Sequence, residues 1–257
     1  MTRSPGLRLE RNGAIATLLI DRAVRHNAMS QAMWELLPQL VAEAMADEAV
    51  RVLILTSATP GLFCAGADIH EFAGHAGEED WRVANQAAIR ATQYALAHAE
   101  KPVIAAIDGD AIGGGCGLAI ACDLRIASSR ARLGVTPAKL GIVYSLFDTR
   151  LLVDLVGPAR AKRILFTGAL HDADEALAIG LIDEIAADPA EAARAMAKVM
   201  ATNAQHSIRS SKAIIRRILD GQTDDDAITL GQFRDAFTLP DFQEGVRAFR
   251  EKRPPAF

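Results

Sequence analysis

The chain has 257 residues, of which half are hydrophobic and 23% are charged, so it can bury a large core and is not a disordered segment. It carries 28 basic and 32 acidic side chains and a formal net charge of −4. This balance argues against a nucleic-acid-binding protein that works by bulk charge, although a local basic pocket for an anionic ligand is compatible with it.

The N-terminus and the cysteines predict a cytoplasmic protein. The opening MTRSPGLRLERNG contains no apolar run of the signal-peptide type, and apolar runs such as Val103 to Ile107 are too short to cross a bilayer. The three cysteines form no C-x-x-C pair, which fits a reducing compartment and buried thiols. We therefore expect no bound metal and no association with a membrane.

The N-terminal elements have strong local signals. Two apolar-rich segments flank an Asn-Gly pair, a typical hairpin turn: Leu7 to Glu10 and Ala14 to Asp21, on either side of Asn12-Gly13. Ser30 then precedes a helix-periodic segment, Gln31 to Ala46, and is expected to cap it. Pro38 lies inside this segment and is expected to bend or break the helix.

Strand-like and helix-like segments alternate through the first two-thirds of the chain. Strands are predicted at residues 51–57, 103–108, 124–127 and 181–185, and helices at residues 79–100 and 158–167 and through most of 188–251. The helix predicted at residues 158–167 should begin at Pro158 and end before Gly168. This alternation predicts an α/β protein with a mostly parallel sheet, followed by a helical tail for packing or oligomerisation.

A glycine cluster, GDAIGGGCG at residues 109–117, follows a predicted buried strand and precedes a predicted helix at 118–121. Backbone N–H groups at such a helix start suit an anion or a developing negative charge. A Walker loop is excluded because Gly115 follows Gly114 where lysine is required, and Leu118 breaks the Rossmann pattern. The alternative is a helix that only packs closely on a strand.

A second motif, FCAGADI at residues 63–69, completes a pattern that extends along nearly the whole chain. The other segments of this pattern are, in chain order around FCAGADI, DRAVRHNAMS, VLILTS, KPVIAAIDGDAIGGGCGLAIACDLRIAS, GPARAKRILFTG, ALAIGLIDEI and the terminal FQEGVRAFREKRPPAF. In this order and spacing the motifs resemble the crotonase, or enoyl-CoA hydratase/isomerase, superfamily.

The resemblance implies an α/β fold of the ClpP/crotonase type, a spiral of ββα units at residues 1–200. Residues 201–257 would then form a C-terminal helical region that builds a homotrimer, or a hexamer from two trimers. The implied ligand is an acyl-CoA thioester, with coenzyme A as part of the substrate and no permanently bound cofactor. The thioester oxygen would be held by the backbone N–H groups of Ala67 and Gly114, which form an oxyanion hole.

The resemblance also implies which residues contact coenzyme A. They lie in two segments and at the C-terminus: Arg25, Asn27, Ala28, Ala65, Ala67, Asp68, Ile69, Gly114 and Lys252. Lys252 would reach the phosphates of a neighbouring subunit's ligand, or would be solvated surface charge. Asp68 is also expected to cap a helix. The following HEFAGH is one residue too long for a zinc motif, and Glu71 is kept as an option in the acyl pocket.

The sequence departs from the family where typical hydratases carry two catalytic glutamates. Gly117 and Pro137 stand at those positions, and neither can transfer a proton. Tyr144 would then be a proton donor or a lining of the acyl pocket. Asp148 would be a single base for double-bond isomerisation, or the N-cap of a helix that begins near Thr149.

Two classes of function follow from these residues. The first is an acyl-CoA-processing enzyme that stabilises a thioester enolate, with isomerase or decarboxylase-like chemistry favoured over ordinary hydration. The second is a catalytically silent acyl-CoA-binding protein, suggested by the missing glutamates. Turnover of any acyl-CoA distinguishes them.

Overall fold

The computed structural model describes residues 6–257, so residues 1–5 of the N-terminal segment read above lie outside the described part. The strands are β1 Leu7–Asn12, β2 Ile15–Ile20, β3 Val52–Ser57, β4 Val103–Ile107, β5 Ala111–Ile112, β6 Leu124–Ala127, β7 Arg132–Gly134, β8 His171–Asp172 and β9 Glu184–Ile185. The helices are α1 Gln31–Ala46, α2 Ile69–His75, α3 Glu79–Ala97, α4 Gly114–Ile120, α5 Leu146–Val156, α6 Pro158–Thr167, α7 Ala173–Ile179, α8 Pro189–Ala201, α9 Gln205–Leu219, α10 Ala227–Ala236 and α11 Pro240–Glu251.

Two sheets run through the molecule, and successive turns of the chain contribute to both. The larger sheet has the order β1-β2-β3-β4-β6-β9, and the smaller has the order β5-β7-β8. Parallel bridges join Met29 to Ala67 and Cys64 to Ala111, so loop segments of the early turns extend the second sheet. The chain therefore forms a spiral in which each turn stacks on the one before it.

The predicted hairpin and the predicted strands of the large sheet are confirmed. β1 and β2 pair antiparallel around Asn12-Gly13, with Gly13 at a positive φ of 59° that glycine adopts freely. The remaining neighbours, from β2 to β9, pair in parallel. β3 and β4 are almost wholly buried because helices cover both faces of the sheet.

Helix α1 is continuous across Pro38, so of the predicted bend or break, the break does not occur. Proline removes the hydrogen bond to the carbonyl four residues earlier, which is that of Trp34. The hydroxyl of Thr92 on α3 donates to this carbonyl at 2.6 Å and replaces the lost bond. The Trp34 side chain is fully buried, so packing also holds this part of the helix in place.

Two boundaries differ from the predictions, and a third agrees with them. α4 begins at Gly114 rather than near Leu118, because the glycine cluster itself forms the first turn of the helix. Of residues 181–185, only Glu184 and Ile185 pair with the sheet. α6 begins at Pro158 and ends before Gly168, which adopts the left-handed conformation, as predicted.

The last third of the described chain is helical, as predicted. α8 lies on the large sheet, where Ala193 and Ala197 pack in a buried cluster with Val52 and Ile104. α9, α10 and α11 follow it, and their exposed apolar side chains include Phe233 and Phe249, the latter 85% exposed. Among the helices of residues 6–257, none is long and apolar enough to cross a membrane.

Candidate active site

Two backbone N–H groups, those of Ala67 and Gly114, converge where the glycine cluster meets the loop after β3. A Cβ placed on Gly114 would lie 3.4 Å from the Ala67 nitrogen, so the two groups are neighbours. Within residues 6–257, neither N–H has a hydrogen-bond acceptor of its own. Two free donors beside a helix N-terminus can hold one oxygen that carries negative charge.

Backbone pairing and close packing set the positions of both donors. The Met29 N–H donates to the Gly66 carbonyl at 2.7 Å, and the Asp68 N–H donates to the Met29 carbonyl at 2.9 Å. This pairing turns the intervening Ala67 N–H away from the partner strand. On the other side, a Cβ on Gly114 would lie 3.0 Å from the ring of Trp34, so glycine is needed for this close approach.

Asp68 supports the Ala67 side of the site and is the helix cap that the sequence predicted. Its carboxylate accepts the His70 and Glu71 N–H groups at the start of α2 and forms an ion pair with Arg22 at 2.8 Å. Burial alone would raise the pKa of Asp68, but these donors outweigh it and hold the pKa below its usual range. Asp68 is therefore a fixed anion that orders the loop, and it has no proton to transfer at neutral pH.

The wall of the site over Gly117 is polar. A Cβ on Gly117 would overlap the amide nitrogen of Gln93 and lie 2.7 Å from the hydroxyl of Tyr144. The two side chains therefore fill the space that a side chain at position 117 would need. Gly117 lies three residues after Gly114 on α4, a displacement of about 4.5 Å along the helix, so this wall borders the oxyanion hole.

Of the two tentative acid–base candidates, Tyr144 lies at this wall, and the charge of Asp148 acts on it. Burial, together with Cys116 and the charge of Asp148, raises the pKa of Tyr144 well above its usual value. Tyr144 is thus a neutral phenol that can donate a hydrogen bond. Burial also raises the pKa of Asp148, and Ser145 and the charge of Arg90 offset only part of this effect.

The interpretation of Asp148 as a helix N-cap is wrong. Helix α5 begins at Leu146, and the Ser145 hydroxyl caps it by accepting the Asp148 N–H at 3.1 Å. Asp148 lies in the first turn and is only 4% exposed, and its Oδ1 has no hydrogen-bond partner among residues 6–257. Asp148 is therefore a buried carboxyl group with one unpaired oxygen.

Gln93 is the functional candidate that sequence reasoning missed. It lies on α3 and is fully buried, and both polar atoms of its carboxamide lack partners within the described chain. In the sequence it belongs to an Ala-rich helical segment, 24 residues before Gly117, with no motif around it. Only the packing of α3 beside α4 and α5 places it at the site.

The two segments expected to contact coenzyme A lie side by side. The Ala65 N–H donates to the His26 carbonyl at 3.1 Å, and the guanidinium of Arg22 reaches the Ala28 carbonyl at 2.8 Å. Arg25, Ala65 and Ile69 are exposed along this junction. Their contact with coenzyme A stays a prediction.

Asn27 is buried, and its side chain is occupied by the loop itself. Its amide nitrogen donates to the Ser57 hydroxyl at 2.8 Å and to the Phe63 carbonyl at 2.9 Å, and its oxygen accepts the Arg22 N–H. Any contribution to ligand binding comes through the loop conformation, in which Asn27 has a positive φ of 56°. Lys252 lies at the other end of the chain as the exposed left-handed cap of α11.

The remaining sequence candidates have structural partners. Glu71 accepts the Gln31 N–H at 2.8 Å and so caps α1. The described chain contains no group of three potential metal ligands. The three cysteines are buried and unpaired, and burial raises the pKa of each to about 12: Cys64, Cys116 and Cys122.

Comparison with known proteins agrees with this geometry. The enoyl-CoA hydratase/isomerase family model matches residues 10–257. The chain belongs to the enoyl-CoA hydratase/isomerase family. This family match confirms the relationship predicted from the FCAGADI and glycine motifs.

Curated relatives and solved structures of this enoyl-CoA hydratase/isomerase family span the whole chain. Methylglutaconyl-CoA hydratase of Rattus norvegicus is 35% identical over 96% of this chain and 80% of the rat protein. Short-chain-enoyl-CoA hydratase of Clostridium acetobutylicum is 36% identical over 95% of this chain and 94% of its own length. A family protein from Hyphomonas neptunium superposes with a TM-score of 0.96 at 42% identity, covering 100% of this chain and 99% of the other.

The likeness confirms the predicted crotonase-type α/β fold. The enoyl-CoA hydratase of Bacillus anthracis, at 32% identity, also superposes with a TM-score of 0.89 and covers 98% of this chain and 99% of its own. As a member of the family, the chain is an enzyme of CoA-thioester chemistry. The two curated relatives named here are hydratases, and the reaction of this member depends on its own acid–base groups.

Proposed function

We propose that this enzyme binds an acyl-CoA thioester and stabilises its enolate, with double-bond isomerisation as the reaction. The convergence of the free Ala67 and Gly114 N–H groups carries the proposal. The buried carboxyl of Asp148, whose charge acts on Tyr144 at the neighbouring wall, is the proposed base. Hydrogen bonds from the two donors to the thioester oxygen strengthen as negative charge develops on it, and this lowers the barrier to enolate formation.

Ordinary hydration has weaker support in this chain. Adding water across a double bond needs one group that activates the water and one that delivers a proton. The positions assigned to these groups by the resemblance carry Gly117, under the side chains of Gln93 and Tyr144, and the buried Pro137. Asp148 is a single carboxyl, which suits a reaction that removes and returns one proton.

The proposed isomerisation needs only this one carboxyl. In a 3-enoyl thioester, ionised Asp148 takes a proton from C2, and the electron pair spreads onto the thioester oxygen held by Ala67 and Gly114. The same carboxyl then returns the proton to C4, which leaves the double bond between C2 and C3. Its raised pKa favours this shuttle, because a base works best when its pKa lies near the operating pH.

Decarboxylation is the second candidate, and Tyr144 favours it. A carboxylate on C2 of the substrate would leave as carbon dioxide, its bonding electrons forming the enolate in the same oxyanion hole. No base is needed, and the neutral Tyr144 hydroxyl could deliver or orient the proton that returns to C2. A silent acyl-CoA-binding protein is the alternative from another class.

The site residues assigned to coenzyme A complete the proposal. The nucleotide-binding edge would be formed by Arg25, Asn27, Ala28, Ala65, Asp68 and Ile69, with Lys252 of a neighbouring subunit at the phosphates.

We infer that residues 201–257 build a trimer or a hexamer, since Phe233 and Phe249 expose apolar surface in the single chain. Light scattering tests the assembly. The proposed location is the cytoplasm, in line with three unpaired cysteines.

The test is incubation of the purified enzyme in heavy water with a panel of thioesters. The panel contains 2-enoyl-, 3-enoyl-, malonyl-, methylmalonyl- and 3-hydroxyacyl-CoA, with products followed by mass spectrometry. We expect 3-enoyl-CoA to become 2-enoyl-CoA. Asp148→Asn should lose both proton transfers, the removal from C2 and the return to C4. The Asp154→Asn variant, on the same helix, is the matched control.

Each other outcome has a defined meaning. Loss of carbon dioxide, abolished in Tyr144→Phe but retained in Asp148→Asn, would replace isomerisation by decarboxylation. Rapid gain of water by 2-enoyl-CoA would overturn the argument against hydration. If every thioester binds and none changes, the silent-binding protein becomes the correct interpretation.

A further inference from the structure

Helix α2 begins two residues after the Ala67 donor, yet none of its seven residues is buried. Asp68 fixes its first turn by accepting N–H groups there. A link to a second helix comes from Glu71, whose Oε2 accepts the backbone N–H of Gln31 at 2.8 Å. Glu71 therefore joins α2, which starts beside one oxyanion donor, to the first residue of α1.

The N-terminus of α1 takes this carboxylate from another helix because its own residues supply none. Ser30 stands at the N-cap, but its side chain makes no capping hydrogen bond within residues 6–257, so the prediction that it caps α1 is wrong. The first turn of α1 contains no acidic residue. A carboxylate at a helix N-terminus satisfies an N–H group and interacts favourably with the helix dipole. Glu71 provides both interactions from α2.

The side chain of Gln31 is held from two sides. Asn85 on α3 is 2% exposed, and its amide nitrogen donates to the Gln31 side-chain oxygen at 2.5 Å. The amide nitrogen of Gln31 donates to Glu35 at 2.6 Å. These bonds fix the start of α1 against α3, so the Gln31 N–H is a stationary anchor for Glu71.

The same end of α1 also contacts the segments that carry the two oxyanion donors. The Met29 backbone, just before the helix, pairs on either side of Ala67. The ring of Trp34, one turn into the helix, lies where a Cβ on Gly114 would approach it to 3.0 Å. A movement of α2 against α1 would therefore change the position of one N–H donor relative to the other.

We propose that Glu71 is a positioning residue of the oxyanion hole, which docks α2 on the N-terminus of α1 and so aligns the Ala67 N–H with that of Gly114. This inference rests on the proposed stabilisation of an enolate at these two donors. Glu71 acts as an acceptor for Gln31 and transfers no proton. Because hydrogen bonds weaken steeply with misalignment, loss of the link should slow enolate formation more than it weakens substrate binding.

The experiment measures C2 proton exchange on 3-butenoyl-CoA in heavy water, with kcat and KM determined separately. Glu71→Met keeps the length of the side chain but removes the acceptor, so kcat should fall about 10-fold while KM changes by no more than about 2-fold. Glu71→Gln keeps an acceptor oxygen and should restore kcat to within about 3-fold of the wild type. Glu79→Met, which removes an exposed carboxylate from the first turn of α3, is the matched control and should keep the wild-type kcat.

A second variant removes the same hydrogen bond from the donor side. Gln31→Pro has no N–H, and proline is accepted at the first position of a helix. Ser30, with φ −77° and ψ 166°, already has the extended conformation that a residue before proline adopts. This variant should also lose about 10-fold in kcat, and adding Glu71→Met to it should cause no further loss. Thermal unfolding checks that each variant is folded at the assay temperature.

Three results would overturn the inference. They are a wild-type kcat in folded Glu71→Met, a loss in Glu71→Gln as large as that in Glu71→Met, or losses that add in the double variant. The wild-type enzyme tests the proposed function separately. Absence of C2 exchange in the wild type would remove enolate formation, whereas wild-type exchange that neither substitution slows would remove only the role of Glu71.

Discussion

Two glycines of the same helix should lose stability to very different extents when a methyl group is added. Gly115 and Gly117 are both buried on α4. A Cβ on Gly117 meets the ends of the Gln93 and Tyr144 side chains, whereas a Cβ on Gly115 overlaps the backbone carbonyl of Cys64. Side-chain ends can rotate away, but the Cys64 carbonyl is held because it accepts the Ile112 N–H at 3.0 Å.

The magnitudes follow from these contacts. In Gly117→Ala, overpacking costs about 1–3 kcal/mol and the better helix propensity of alanine returns about 1 kcal/mol. The net loss of up to about 2 kcal/mol lowers Tm by no more than about 8 °C in a chain of this size. Gly115→Ala must instead move a loop strand, at a cost on the order of 4 kcal/mol or more.

Activity should reveal an effect of Gly117→Ala that its small loss of stability does not. Gly117→Ala stays folded but displaces Gln93 and Tyr144, and a displacement of about 1 Å can cost about 10²-fold in rate. The assay is thermal unfolding together with C2 proton exchange on 3-enoyl-CoA. Wild-type exchange in Gly117→Ala, or equal stability of the two variants, would refute the placement of this polar wall beside the oxyanion hole.

Three further substitutions test the parts of the site. Gly114→Ala should lower kcat about 10-fold or more, measured by steady-state kinetics, because its methyl group would lie 3.0 Å from the buried Trp34 ring and disturb an oxyanion donor. Asp148→Asn should lower the rate by about 10²–10⁴. It should also stabilise the fold, increasingly as pH rises above about 4, because the native carboxyl has a raised pKa and resists ionisation. Unfolding scans would contradict this if the difference in stability between variant and wild type did not change with pH. Asp68→Ala should lose about 2 kcal/mol above about pH 4 and less in acid, because the lowered pKa reflects the helix cap and the Arg22 ion pair. Urea unfolding at pH 7 and pH 3 would refute it by showing equal losses.

Local signals were sufficient for much of the fold. The Asn12-Gly13 turn, the buried runs of β3 and β4, and the Pro158 start and Gly168 end of α6 are each set by residues adjacent in sequence. The Asp68 cap is of the same kind, since its carboxylate binds N–H groups two and three residues ahead. The motifs around Ala67 and Gly114 indicated the family for the same reason: each part of the oxyanion hole is a short contiguous segment.

Where the sequence failed, the deciding contact came from a distant part of the chain. Pro38 does not break α1 because Thr92, far along the chain, donates to the carbonyl that the proline leaves free. Asp148 looked like a cap until the register of α5 showed Ser145 in that role. A shift of three residues in the start of α5 decides whether this carboxyl caps the helix or lies buried in its first turn.

The sequence by itself determined the family, the hairpin, the central strands and the two glycine-rich segments of the site, because turn chemistry and hydrophobic periodicity act over a few residues. Only the tertiary structure decided what replaces a glutamate over Gly117. Gln93 reaches that point because α3 packs beside α4, and no pattern within α3 distinguishes it from an exposed helical glutamine. Burial of its carboxamide next to Tyr144 is a property of the assembled core, and it makes the residue a candidate.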